Sequence, residues 1–167
     1  MSALTFTQGV RVSRQVNNDQ WVDLVTDTRD HYTFAHIDQT TVALTERVNY
    51  TLTPNLSVQI YAQPFVSAGD YTGFKELVNG RSRAYDGRYA PFAFTGDDPD
   101  FNIKSFRTTN VLRWEYKPGS TLFVVWQQAR ENDDVPGGFR LGRDVHDIFA
   151  VTPRNVFLVK LAYWLNY

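Results

Sequence analysis

The sequence has no cysteine in 167 residues. That excludes a disulfide scaffold and thiolate metal sites, and it fits export through an oxidising periplasm. No run of about 18 apolar residues exists, so no helix here is built to cross a bilayer. Met1 to Thr5 carries neither a basic n-region nor an apolar h-region. An exported protein needs such a signal, so the chain reads as a mature form or a fragment of a longer precursor. Net charge is −1 and pI about 6.3. With no basic stripe, nucleic acid is not an expected partner. Nucleophile-elbow, P-loop and dinucleotide motifs are all missing, so we expect no catalysis and no cofactor.

What is present is alternation. Aromatic residues make up 15% of the chain, yet mean hydropathy is only −0.37. A barrel wall has this balance, because only alternate side chains meet lipid. Near the carboxyl end, Phe157, Val159, Leu161, Tyr163, Leu165 and Tyr167 share one parity. A period-2 apolar row ending on an aromatic residue reads as the lipid-facing closing strand of an outer-membrane barrel. Similar alternation spans 4–16, 32–52, 56–67, 104–117 and 121–127, with a weaker strand at 21–28. Asn17-Asn18-Asp19-Gln20 reads as a turn, and the long run at 32–52 is expected to protrude from lipid or break near Asp38. Glu46 interrupts an apolar parity, which predicts an interfacial position or a bulge.

Thr53-Pro54-Asn55 is a tight turn, and Lys117-Pro118-Gly119-Ser120 has a type II signature. Residues 68–103 and 130–154 are long polar connections, with one helical turn expected at Phe74–Val78. Short turns on one side and long loops on the other are the pattern of an outer-membrane barrel. The expected fold is all-β: an antiparallel transmembrane β-barrel of about eight strands. It is one domain over residues 1–167, or the carboxyl-terminal part of a larger barrel protein.

Several strings carry a family resemblance: DQTTVAL at 38–44, YTLTPNLS at 50–57, IYAQPFVSAGDY at 60–71, PDFN at 99–102, NVLRWEY at 110–116, PGSTLF at 118–123 and FLVKL at 157–161. From Tyr32 onward the sequence resembles the carboxyl-terminal barrel of the DUF5916 proteins of Gram-negative bacteria. The resemblance implies an outer-membrane barrel preceded by a sugar-binding-like module, which this sequence does not contain. It supplies place and fold rather than an activity.

The expected role is structural: an outer-membrane anchor or small, porin-like barrel. Expected partners are membrane lipid and the barrel-assembly machinery, engaged through the closing strand, and an oligomer is admitted. Arg47, Arg113, Glu115 and Lys160 lie on non-lipid parities and are expected to form a lumenal charge network, because buried charges must pair. Trp21, Tyr50, Trp114, Tyr116 and Trp126 are the expected aromatic girdle. Asp97, Asp98 and Asp100, and Asp133 and Asp134 with Asp144, are acidic clusters without EF-hand spacing. Hard cations such as Ca²⁺ take oxygen ligands of this kind, so these acids are weak metal candidates, but they are expected to be solvated, with no metal. His31, His36 and His146 show no ligand spacing and read as loop or interface residues. Two alternatives remain: a soluble β-barrel binding small molecules or glycans, and an enzyme using loop residues such as Asp144 and His146.

Overall fold

A computed structural model describes residues 3–133 and 138–165. The described residues form seven antiparallel strands: β1 (Ala3–Thr26), β2 (Asp30–Thr53), β3 (Leu56–Leu77), β4 (Tyr89–Pro91), β5 (Phe101–Lys117), β6 (Ser120–Asn132) and β7 (Arg154–Ala162). A 3-10 turn (Tyr85–Gly87) precedes β4, and one helix, α1 (Leu141–Ala150), precedes β7. The six long strands pair in the order β1-β2-β3-β5-β6-β7, and β4 adds to the end of β3.

The sheet is open, which corrects the expected closed barrel of about eight strands. Among the described residues, no ladder joins β1 to β7. The reason is the strand count. About eight strands are needed to wrap a side-chain-filled interior, and only six here are long.

One expected strand disappeared by merging. The runs expected at 4–16 and 21–28 belong to a single strand, which ends at Thr26, and the turn-like Asn17 to Gln20 is a bulge inside it. There the Asn17 carboxamide accepts the Asp19 N–H at 3.0 Å, so a local Asx bond satisfies turn chemistry without reversing the chain. Nor does β2 break near Asp38, because β1 and β3 pair with it on both sides. The helical turn expected at Phe74–Val78 is instead the end of β3, held by β4. The closing strand stops at Ala162 rather than 167. Its partner β6 begins at Ser120, and Thr121 opposite Ala162 is the last pair. Tyr163 and Leu165 lie past the strand, and Tyr167 lies outside the described residues.

Both short turns are as expected. Gly119 has φ +75°, the left-handed value that the third position of a type II turn demands. Gly69 serves close packing instead. A Cβ there would stand 2.7 Å from the Phe101 ring, so only glycine lets that ring lie on β3.

Candidate functional site

In an antiparallel ladder, directly paired residues share a face. The register therefore sorts the sheet into two surfaces. One row runs Leu4, Tyr50, Val58, Leu112, Val124, Val159; the next runs Phe6, Val48, Ile60, Asn110, Trp126, Phe157. This is the apolar face. Phe157, Val159 and Leu161 are 68%, 67% and 65% exposed on it, and Leu4, Phe6, Val10 and Val12 on β1 are as bare. An uncovered apolar surface of this extent needs an apolar partner.

The apolar rows do not run square to the strands. Their upper limit is one row, Val12, Val42 and Val66, on β1 to β3, above which Arg14 pairs with Asp38; it then falls to Phe106 on β5 and to Trp126 and Phe157 on β6 and β7. One polar row crosses the band: Gln8, Glu46, Ala62, Thr108, Gln128, Asn155. Glu46 sits there in regular register, not in a bulge. Gln8 donates to one of its oxygens at 2.8 Å, while the other has no partner among the described residues.

The opposite face is mainly polar, apart from Val111 and Val125 and the exposed Val156 and Leu158 of β7, and carries four shallow depressions of about 270 to 570 Å³. Arg107 lines three of them. Of the four residues expected to form a charge network, the structure joins two: Arg113 to Glu115 at 3.2 Å. Arg47 lies over the Tyr61 ring at 5.3 Å. Lys160 is separated from Arg113 by Phe123, which pairs with both. A further pair on this face, Arg107 with Glu131 at 2.5 Å, escaped the sequence, because it depends on which residues the β5–β6 register brings opposite.

The girdle residues divide. Tyr50, Trp114 and Tyr116 lie near the two short turns, with Trp114 and Tyr116 rings 6.0 Å apart. Trp126 stacks on Phe157 at 6.1 Å, inside the apolar band. Trp21 belongs to the opposite end of the sheet, edge-on to Phe34 at 5.4 Å.

That far end holds the charged clusters. His31 is 8% exposed. Its Nδ1 lies 2.5 Å from Glu76 and its Nε2 3.1 Å from Asp27. Arg29 donates to both Glu76 oxygens at 2.9 Å. Glu76 foremost, then Asp27, raise the His31 pKa. His31 foremost, then Arg29, hold the Glu76 carboxyl below its usual range. Asp27 is lowered to about 2, first by the Arg29 backbone N–H and then by His31.

The sign of the linkage follows. A raised His31 stabilises the fold below its ordinary value, and the benefit is lost as pH climbs through the raised one. The lowered acids stabilise above their ordinary values and lose that benefit as pH falls through the lowered ones. The β1–β2 connection is therefore expected to be tightest between roughly pH 4.5 and 6.5. An NMR titration should place the His31 midpoint above the ordinary histidine value, and a midpoint below it would contradict the assignment.

Beside this cluster, Lys75 donates to Asp19 at 2.6 Å and to the Tyr85 hydroxyl at 2.7 Å, over the Tyr89 ring at 4.6 Å. His36 meets Asn18 at 2.7 Å. The expected loop or interface position of His31 is thus corrected to a buried ion cluster, which sequence spacing could not foretell because Glu76 lies 45 residues away.

On α1, Asp144 is 0% exposed. It accepts from Asn102 at 3.1 Å, from the Arg140 N–H at 2.8 Å and from Arg143 Nε at 2.9 Å. This corrects its reading as a solvated loop acid: it pins α1 to β5. Asp100 accepts the Tyr71 N–H at 2.6 Å, and Asp98 accepts that of Asp100 at 3.0 Å, so these acids serve loop structure. Among the described residues, no three His, Asp or Glu side chains converge as a metal site. Asp134 lies outside the described residues.

Residues 2–167 match the family described as a domain of unknown function, DUF5916. No curated protein and no solved structure matches the chain.

Proposed function

We propose, for a chain that belongs to the DUF5916 family, that it forms a wall section of an outer-membrane β-barrel with an anchoring or small-pore role and no catalysis. The observation that carries this reading is the apolar face, continuous in register from Leu4 to Val159, exposed on the edge strands β1 and β7 and half-buried at Val58, Leu112 and Val124 between them. Lipid acyl chains are the partner that such a face suits, and the polar face with its depressions would then line the interior.

Two further features support it. The downward step of the apolar limit matches strands tilted against a membrane normal. The shortest long strand, β7, has 9 residues, the length of a tilted crossing. Further strands would close the wall beyond β1 and β7, and the β7 edge is where assembly machinery would engage.

The direct test is migration. The folded protein in detergent should run as a compact species that shifts on boiling, and it should aggregate when detergent is removed. A clear monomer in plain buffer would overturn the reading.

Glu46 gives a finer test. Its carboxylate lies within the apolar band, so Glu46→Gln is expected to stabilise the lipid-embedded protein by about 1 kcal/mol. An unchanged urea midpoint in lipid would place Glu46 outside hydrocarbon.

A further inference from the structure

α1 is two-sided. Asp144 and Ile148 turn to the sheet and are 0% and 5% exposed. Leu141, Val145 and Phe149 recur at i, i+4 and i+8, so they form a stripe on one flank, and all three are exposed. The helix cannot roll to bury them. Its azimuth is fixed by Asn102 of β5 donating to Asp144 at 3.1 Å and by Lys104 of β5 pairing with Asp147 at 3.7 Å, and Arg130 clamps its end by donating to the carbonyls of Phe149 at 2.7 Å and Val151 at 2.8 Å.

The stripe also continues another surface. Phe149 packs on Phe106 with centroids 5.2 Å apart, and Phe106 lies on the apolar face of β5, opposite Pro64. Resting on the reading of that face as lipid-facing, we infer that α1 is an interfacial helix on the outside of the wall. Its Leu141–Val145–Phe149 flank sits among lipid acyl chains. Arg143 and His146 lie on other flanks of the helix, by the 100° advance per residue. An amphipathic helix at a headgroup boundary buries its apolar flank in this way.

The absence of native cysteine makes the test clean. Single variants Val145→Cys, His146→Cys and Val159→Cys are labelled with an environment-sensitive fluorophore and reconstituted in phosphatidylcholine vesicles. Quenching by doxyl-labelled lipid is then compared with quenching by aqueous iodide. The ratio is expected to be severalfold higher for Val145→Cys and Val159→Cys than for His146→Cys. Should Val145→Cys behave like His146→Cys while Val159→Cys stays lipid-quenched, the helix inference fails and the barrel reading stands. If Val159→Cys is also reached by iodide, both fail. Leu141→Cys repeats the measurement if Val145→Cys does not fold.

Discussion

Leu112→Arg is expected to eliminate the heat-modifiable folded species, whereas Val111→Arg is expected to retain it. The two residues are neighbours in β5 and belong to opposite surfaces. Leu112 lies between Val58 and Val124 on the apolar face, and Val111 between Gln59 and Val125 on the polar one. An arginine facing lipid near the bilayer middle costs about 2–4 kcal/mol, a large part of a total stability of about 5–15 kcal/mol. On the interior side it can reach water or polar neighbours and costs less. Urea-dependent folding into lipid vesicles would measure both variants. Equal losses would show that the two faces do not differ in what they meet.

The second large effect is local. Asp144→Leu removes the acceptor for Asn102, for the Arg140 N–H and for Arg143. Removing a fully buried carboxylate that accepts several hydrogen bonds, one of them from a partly exposed arginine, costs about 3 kcal/mol. That cost falls on the seat of α1 rather than on the six-stranded ladder, whose pairing does not involve Asp144. Trypsin is therefore expected to cut the variant quickly at Arg140 and Arg143, while the folded sheet persists. Protection equal to wild type would mean that α1 is held by something other than this carboxylate. Asp144→Asn, which keeps an acceptor, should fall between the two.

How far the sequence announced this molecule depends on the range of the interactions. The hairpins at Pro54 and Gly119 are written locally, since turn chemistry and flanking alternation agree there. The apolar row of β7 was legible for the same reason. Asn17 to Gln20 misled because Asn and Asp satisfy backbone groups equally well in a bulge and in a turn, and only the cross-strand partners Ile37 and Ala35 decide between them. The α1 helix was hidden in a Gly- and Asp-rich stretch, although the spacing of Leu141, Val145 and Phe149 was there to be found. The His31 cluster had no local signal at all. Its members meet because β2 and β3 happen to align Thr33 with Glu76. Closure failed as an expectation because alternation reports a strand's two faces and says nothing about its edges.

Those edges are unequal. β1 offers 24 residues to a neighbouring backbone, and β7 offers 9. Every second residue of an edge strand points its N–H and C=O outward, so the seam along β1 can zip with more than twice the hydrogen bonds of the seam along β7. In the proposed barrel wall the shorter seam would give way first, and any sideways parting would begin beside β7.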